Sequence, residues 1–335
     1  MSDNHYITVI GGGSWGTALA VVLARGGNRV HLLVRTPHQA AAINRDHRNP
    51  DYLSSQRLSA SIEATDELTV ALAGTRAVIY ALPCMLLPEM LAHIVRVLDG
   101  RAMPIVAACK GLQSQSGLRV DQVMAQVNGG GCNLLLSGPS FADEVAQGVP
   151  TAITLAATEM ALARQVAPFF DGSTLRIYLH DDVVGVALGG ALKNVIAIAA
   201  GIADGLQLGN NALAALVTRG IHEMTRIAVA CGAQQATMYG LAGLGDLVLT
   251  CHGGSSRNRQ LGLALAAGLD VAAARRRVGQ VVEGERSARM ALSLAQQHQV
   301  DAPIVAAVCA VLDGSCSCQQ ALDRLLQRPL RAEFS

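Results

Sequence analysis

The chain has 335 residues, of which 51% are hydrophobic and 15% charged, and its formal net charge is +1 at pH 7. This composition excludes a disordered chain, and the small net charge provides no bulk attraction to nucleic acid or to a membrane surface. We therefore expect no nucleic-acid partner, and any anionic ligand must be held by a few placed groups. The length exceeds one ordinary core and predicts two domains.

The first half of the chain alternates short β-rich runs with segments of helical length. The runs are mostly apolar throughout, as expected of strands covered by helices on both faces. This alternation predicts an α/β domain over 1–180, a doubly wound sheet of the Rossmann type. The expected strands are 6–10, 29–34, 77–82, 104–109, 133–137, 152–155 and 175–179, with helices such as 17–25 and 86–98 between them.

Two features of the chain bear on its compartment. No basic and apolar leader precedes the strand expected from Tyr6, so we expect no secretory signal and a cytoplasmic protein. The eight cysteines show no metal-ligand spacing, because the one close pair, Cys316 and Cys318, has no second pair nearby. We therefore expect reduced, buried thiols and no metal site.

A glycine-rich turn joins the first predicted strand to the first predicted helix. Gly11, Gly13 and Gly16 match the Gly-x-Gly-x-x-Gly fingerprint of dinucleotide-binding folds. The first glycine allows the tight turn, the second lets a pyrophosphate approach the backbone, and the third lets the helix pack closely on the strand. The motif alone is weak, but its place between a strand and a helix predicts that a dinucleotide binds here, with its phosphates at the helix N-terminus.

The end of the second predicted strand indicates which nicotinamide is used. NAD-selective sites usually carry an acidic residue there, which binds the ribose hydroxyls. This chain has Val34-Arg35-Thr36 and no acid. Because an arginine can pair with a 2′-phosphate, we expect that NADP(H) is accepted as well as NAD(H). The alternative is that Arg35 is only a solvated strand end.

Strand patterns end near His180, and residues 181–335 are rich in Ala, Leu and Gln with apolar positions at helical spacing. They predict an all-helical second domain, and its apolar character favours a homodimer. The stretch 185–203 has the length of a membrane span. Because Lys193 and Asn194 interrupt it and charged groups are costly in lipid, we expect a core helix and no membrane span.

Two lysines are candidates for catalysis. Lys110 follows a predicted strand, at the edge where α/β sheets present ligand-binding groups, although an exposed strand end explains it equally well. Lys193 lies in an apolar, glycine-rich helix. Desolvation lowers the pKa of such a lysine towards the range useful for proton transfer. The alternative for Lys193 is a side chain that extends along the helix to the surface.

Further polar residues stand in the predicted helical domain. Asp246 lies among glycines and leucines, where it is either a functional carboxylate or a turn or cap residue. Ser256, Arg257 and Asn258 offer a hydroxyl, a guanidinium and an amide in consecutive positions, a set that suits a phosphate. The alternative is that they form a charged helix start.

The order of these motifs resembles that of bacterial NAD(P)-dependent glycerol-3-phosphate dehydrogenases over nearly the full chain. The motifs are Gly-Gly-Gly-Ser-Trp-Gly-Thr-Ala from Gly11, Lys-Gly-Leu at 110–112, Ser-Gly-Pro-Ser-Phe-Ala at 137–142, Leu-Lys-Asn-Val-Ile-Ala at 192–197, Leu-Ala-Gly-Leu-Gly-Asp-Leu at 241–247, Ser-Arg-Asn-Arg at 256–259 and Gly-Gln-Val-Val-Glu-Gly at 279–284. The resemblance implies the reversible reduction of dihydroxyacetone phosphate to sn-glycerol 3-phosphate, which supplies glycerophospholipid synthesis.

The resemblance also implies roles for individual residues. It makes Lys193 the general acid in ketone reduction and the base in alcohol oxidation, Lys110 the group that polarises the reacting oxygen, and Asp246 a third catalytic residue. The implied substrate-binding residues are Lys110, Gly138, Ser140, Lys193, Asp246, Ser256, Arg257 and Asn258. The implied cofactor-binding residues, besides the three glycines, are Ser14, Trp15, Arg35, Tyr52, Lys110, Ala142, Arg257, Val281 and Glu283.

Three positions depart from the usual pattern of that family. Cys84 replaces a serine near the cofactor, Asp143 stands where lysine is usual, and Glu285 stands where an aromatic or aliphatic residue is common. None of these changes removes a chemical role assigned above. Cys84 and Asp143 bear on the cofactor affinity and on the polarity of the pocket.

Two other functions compete with this one. A dehydrogenase of the 3-hydroxyacid or 6-phosphogluconate type would share both domains and the lysine helix, but is not expected to carry the 256–258 cluster. A redox-sensing module would bind the nicotinamide without chemistry. Lys110, Lys193 and Asp246 together argue against that module.

Overall fold

The computed structural model describes residues 5–113, 117–129, 131–279, 282–330 and 332–333. The chain divides into two compact units. The first consists of Met1–Ala187 with Gly240–Ala242, and the second of Leu188–Tyr239 with Gly243–Ser335.

The first unit is built on one eight-stranded sheet. Its strands are β1 Tyr6–Ile10, β2 Arg29–Leu33, β3 Ile62–Thr65, β4 Thr75–Tyr80, β5 Ile105–Ala107, β6 Asn133–Ser137, β7 Thr151–Ala156 and β8 Leu175–His180. Their order is β3-β2-β1-β4-β5-β6-β7-β8, and β6–β7 is the one antiparallel pairing in it. The strand order reverses between β1 and β4, which is where open α/β sheets bind ligands. The predicted Rossmann-type fold class is confirmed.

Helices cover both faces of this sheet. They are α1 Ser14–Arg25, α2 Pro37–Asp46, α3 Leu68–Ala71, α4 Leu87–Leu98, α5 Val120–Asn128, α6 Ala142–Gln147 and α7 Met160–Val166. Because side chains alternate along a strand, neighbours such as Val9 and Ile10 enter different cores. One core holds α1, α2, α6 and α7, and the other holds α4 and α5.

The sequence predicted seven of these strands to within a few residues and missed β3. In β3, buried Ile62 and Ala64 alternate with exposed Glu63. It pairs only with β2, at the edge of the sheet. A half-exposed edge strand of four residues lacks the continuous apolar run that marks the buried strands.

In the described residues of the second unit, all the regular secondary structure is helical. The helices that follow β8 are α8 Val183–Gly205, α9 Gly209–Ala230, α10 Gln235–Met238, α11 Asp246–His252, α12 Arg257–Ala266, α13 Val271–Val278, α14 Glu283–Gln297, α15 Pro303–Leu312 and α16 Cys318–Leu326. Helices α8 and α12 touch backbone to backbone, because a Cβ on Gly262 would lie 2.1 Å from the carbonyl oxygen of Ile198. This close packing places the start of α12 beside α8.

Among the described residues, α8 is the one helix long and apolar enough to cross a membrane. Of its most apolar 18-residue window, 83% is buried inside the protein. Such burial is what a core helix shows, and it agrees with the expectation of no membrane span.

Candidate functional site

The glycine turn after β1 has the shape that a dinucleotide needs. A Cβ on Gly16 would lie 1.8 Å from the carbonyl oxygen of Gly11, so only glycine lets α1 approach the end of β1 this closely. Gly13 is the N-cap of α1, and a Cβ placed there meets no atom within 4 Å. The side of the turn at Gly13 is therefore open in front of a helix N-terminus, where a pyrophosphate fits.

The side chain of Trp15 connects this turn to the end of β5. Its indole Nε1 donates a hydrogen bond of 3.0 Å to the carbonyl oxygen of Ala108. Lys110 follows two residues later in the chain. The bond therefore ties the start of α1 to the segment that carries Lys110.

Lys110 and Ser140 meet at one backbone carbonyl. The Lys110 Nζ donates to the oxygen of Gly138 at 2.8 Å, and the Ser140 hydroxyl donates to the same oxygen at 3.0 Å. Gly138 has φ +151°, and a Cβ there would lie 3.1 Å from the Ile153 Cα, so the position requires glycine. The structure thus brings three predicted substrate-binding residues together at the ends of β5 and β6.

Of the remaining candidates of the first unit, three lie at or near the ends of elements. Arg35 is exposed and directly precedes Thr36, whose hydroxyl accepts the Gln39 N–H and caps α2. Tyr52 is exposed on the segment that follows α2. Ser14 and Ala142 are the first residues of α1 and α6, positions where backbone N–H groups have no partner within the helix.

In the second unit, Lys193 and Asp246 form a buried ion pair. The Lys193 Nζ lies 2.5 Å from Asp246 Oδ1, and the two residues are 7% and 1% exposed. The alternative that Lys193 reaches the surface is therefore wrong. Its Nζ also donates to the Thr250 hydroxyl at 2.9 Å, and that hydroxyl donates to the backbone oxygen of Asp246 at 2.6 Å.

Sequence reasoning missed Thr250, although its spacing carried a signal. Asp246 begins α11 after a π-helical turn over Leu241–Gly245. Residues four apart lie on the same face of a helix, so a helix starting at Asp246 places Thr250 beside it. The next residue, Cys251, takes no part as a nucleophile at neutral pH, since burial raises the pKa of its thiol to about 12.

Asn258 connects three helices. Its Nδ2 donates to Asn194 Oδ1 on α8 at 2.9 Å, and its Oδ1 accepts the Gly284 N–H on α14 at 3.0 Å. Asn194 is the neighbour of Lys193, so this bridge holds the lysine helix against the start of α14. Asn194 is a further residue that the sequence reasoning did not single out as functional.

Ser256 and Arg257 begin α12. The Ser256 hydroxyl accepts the Arg259 N–H at 3.3 Å as the N-cap of the helix, and Arg257 is its first residue, with an exposed side chain. A ten-residue helix that begins with a guanidinium and a serine is an anion-binding arrangement.

Glu283 is the first residue of α14, and Val281 lies outside the described residues. Glu285, which departs from the family pattern, makes a bidentate ion pair with Arg275 of α13. The other departures are Cys84, buried in the core beside α4, and Asp143, exposed in the first turn of α6. An acidic residue in that turn complements the helix dipole.

Among the residues that the structure describes, no three His, Cys, Asp or Glu side chains group as metal ligands. None of the eight cysteines forms a disulfide. Five of them are buried and three only partly so, which corrects the expectation that all are buried.

The first unit is a Rossmann sheet with a glycine turn, and the second is a helical unit with a buried lysine–carboxylate pair. Together these features define a nicotinamide-dependent dehydrogenase. Family models described as the N-terminus and the C-terminus of NAD-dependent glycerol-3-phosphate dehydrogenase match residues 6–163 and 182–323. The chain therefore belongs to the NAD-dependent glycerol-3-phosphate dehydrogenase family.

Individual relatives agree with this assignment. The chain is 47% identical to the glycerol-3-phosphate dehydrogenase [NAD(P)+] of Thioalkalivibrio sulfidiphilus, with 98% of each chain covered. It is 45% identical to that of Rhodospirillum rubrum, covering 98% of this chain and 94% of the relative. The crystal structure of glycerol-3-phosphate dehydrogenase from Coxiella burnetii superposes with a TM-score of 0.91 at 38% identity, covering 97% of this chain and 100% of that one.

Proposed function

We propose that this protein is an NAD(P)-dependent glycerol-3-phosphate dehydrogenase that reduces dihydroxyacetone phosphate to sn-glycerol 3-phosphate, and runs in reverse as an alcohol dehydrogenase. The buried pair of Lys193 and Asp246 carries the proposal. A buried lysine held at a fixed position by a carboxylate is suited to move one proton to or from a reacting oxygen.

The glycine turn after β1 is the proposed binding site of the cofactor. Its open side at Gly13 and the N-terminus of α1 fit a pyrophosphate. When bound, the reduced nicotinamide supplies the hydride for the carbonyl carbon. The proposed contacts are Gly11, Gly13, Ser14, Trp15, Gly16, Arg35, Tyr52, Lys110, Ala142, Arg257, Val281 and Glu283.

Lys193 is the proposed proton donor in reduction. Negative charge builds on the carbonyl oxygen as hydride arrives, and the ammonium neutralises it by giving up a proton. Asp246 supplies the counter-charge that a buried ammonium requires, and Thr250 fixes the direction of the Nζ. Lys110, with Gly138 and Ser140 beside it, is proposed to polarise the reacting oxygen.

The start of α12 is the proposed phosphate site. The Arg257 guanidinium and the helix N-terminus both favour a dianion, with Ser256 and Asn258 alongside. Binding energy from the phosphate, which takes no part in the reaction, positions the carbonyl carbon.

Arg35 supports acceptance of NADPH, since it is exposed two residues after the end of β2. The eight cysteines, none of them in a disulfide, support a reducing compartment, and we propose that the protein acts in the cytoplasm, where its product feeds glycerophospholipid synthesis. We further propose that residues 1–180 bind the dinucleotide and that residues 181–335 bind the substrate. We also propose that the protein is a homodimer, and light scattering after gel filtration tests this.

The deciding experiment follows the absorbance of the reduced nicotinamide with dihydroxyacetone phosphate and either cofactor. The matched comparison uses 3-hydroxyacids and 6-phosphogluconate under the same conditions. Turnover of the phosphorylated triose alone supports the proposal. Turnover only of a hydroxyacid, or cofactor binding without turnover of any phosphorylated triose, contradicts it.

A further inference from the structure

Asn49 is a fully buried asparagine in the segment between α2 and β3. Its Nδ2 donates to the carbonyl oxygen of Gly12 at 2.9 Å and to the Thr17 hydroxyl at 2.8 Å. Gly12 lies inside the glycine turn and Thr17 in the first turn of α1. One side chain therefore holds both the turn and the helix that follows it.

Gln39, on α2, supports the same carbonyl. Its Nε2 donates to the Gly12 oxygen at 3.1 Å and to Asn49 Oδ1 at 3.1 Å. Gln39 is also buried. The Gly12 oxygen thus accepts two hydrogen bonds from buried side chains.

The geometry of the peptide bond gives these two hydrogen bonds a consequence for the cofactor. The carbonyl of Gly12 and the N–H of Gly13 belong to one planar, trans peptide unit, so they point in opposite directions. Fixing the oxygen towards Asn49 and Gln39 aims the Gly13 N–H away from them. Gly13 is the N-cap of α1 and the residue whose outer side is open.

We propose that Asn49 and Gln39 are positioning residues for the cofactor, which orient the Gly12–Gly13 peptide so that its N–H points at the pyrophosphate. The proposal rests on the proposed function, because it assumes that the glycine turn binds the dinucleotide. It assigns Asn49 and Gln39 no contact with the cofactor or the substrate. Their effect is preorganisation, since a turn already held in its binding conformation loses less entropy when the ligand arrives.

The test measures the dissociation constants of NADPH and NADH by calorimetry and by quenching of the single tryptophan, Trp15, in the full-length protein. In Asn49→Ala and Gln39→Leu we expect each constant to rise by about tenfold, the worth of one hydrogen bond to an otherwise ordered turn. Asn49→Asp keeps the shape but turns an acceptor towards the Gly12 oxygen, and we expect a larger rise. The KM for dihydroxyacetone phosphate and the kcat at saturating cofactor stay unchanged.

Asn44→Ala is the matched control. Asn44 is on α2 as well, and its amide makes two hydrogen bonds to the backbone of Ala64, away from the glycine turn. It therefore lowers the melting temperature without changing either dissociation constant. The same result in Asn49→Ala and Gln39→Leu would show that their role is only structural and overturn the proposal.

The outcomes separate the two proposals. If the unmodified protein fails to bind either nicotinamide, the proposed function fails, and the positioning role fails with it. If it binds and turns over normally while the variants keep its affinity, only the positioning role is lost. Gln39→Leu leaves Asn49 in place, so it decides the question even if Asn49→Ala does not fold.

Discussion

The Lys193 ammonium nitrogen lies 2.5 Å from the Asp246 carboxylate in the helical unit, and both side chains are buried. The two residues are 53 positions apart in the chain. Thr250 completes the arrangement by accepting from Lys193 and donating to the backbone of Asp246. The lysine is thus held by a charge and a hydroxyl in a site from which most water is excluded.

Replacing Lys193 tests its role in proton transfer. We expect Lys193→Ala to lower kcat by about 10³-fold, within the range that general acid–base catalysis contributes. The glycine turn is not altered, so the dissociation constant for NADPH stays as in the unmodified protein. Steady-state kinetics and calorimetry measure the two quantities. A near-normal kcat would refute the catalytic assignment.

The ion pair also makes a prediction about stability. Lys193→Met leaves the Asp246 carboxylate buried without its partner, and we expect a loss of about 3–5 kcal/mol in the free energy of unfolding. Changing both residues, Lys193→Met with Asp246→Leu, removes the buried charge and recovers most of that loss, although the double variant stays inactive. Urea unfolding at neutral pH measures both. Equal stability of the single and double variants would contradict the pairing.

Arg35 makes a prediction about cofactor choice. We expect Arg35→Ala to raise the KM for NADPH by about 10- to 100-fold, the worth of a charge-assisted hydrogen bond to the 2′-phosphate. The KM for NADH changes little, because NADH has no phosphate at that position. Arg48→Ala is a suitable control, since Arg48 is also exposed but donates to the backbone of Ser54 and Ser55. Equal changes in the KM for NADPH and for NADH would show that Arg35 does not bind the 2′-phosphate.

Glu223 makes a prediction about pH. It is a buried residue of α9 whose carboxylate accepts the N–H groups of Ile304 and Val305 at the start of α15, and burial raises its pKa to about 7. The folded state therefore binds this proton more tightly than the unfolded state, whose pKa is near 4.5. The stabilisation is complete below the unfolded value and is lost as the pH rises from about 4.5 to about 7.

The neutral variant Glu223→Gln measures this contribution. It keeps an oxygen for the helix N–H groups but cannot ionise, so it should match the unmodified protein at pH near 4, below the unfolded pKa. At pH near 8 it should be more stable by up to roughly 3 kcal/mol, from the difference between the folded and unfolded pKa values. Urea unfolding across this pH range gives the difference in the free energy of unfolding between the two proteins. Parallel pH profiles would rule out a contribution from the ionisation of Glu223.

Strands and the glycine turn were readable from the chain because their signals are local. A buried parallel strand is a short apolar run, and the fingerprint requires its glycines within six consecutive residues. The pattern failed at β3, where half of the strand faces solvent. It also extended the second, fourth and fifth strands beyond their ends at Leu33, Tyr80 and Ala107, because apolar residues continue past the last hydrogen-bonded position.

The resemblance to a family supplied predicted roles for Lys193, Asp246 and Asn258, but it did not supply what these side chains touch. The structure shows that the side-chain amide of Asn258 hydrogen-bonds to Asn194 and Gly284, and that Ser256 caps α12. The bonds of Asn258 join helices that are distant in the chain. The cap made by Ser256 depends on where α12 begins.

The amino-acid sequence by itself determined the fold class, the place of the dinucleotide turn and the identity of the candidate lysines. Only the tertiary structure decided which groups meet: Asp246 with Lys193, and Asn49 with the Gly12 carbonyl. The physical reason is the short range of a hydrogen bond, about 3 Å between heavy atoms. Periodicity and motifs describe neighbours along the chain, whereas partners at that range are chosen by how the helices and strands pack.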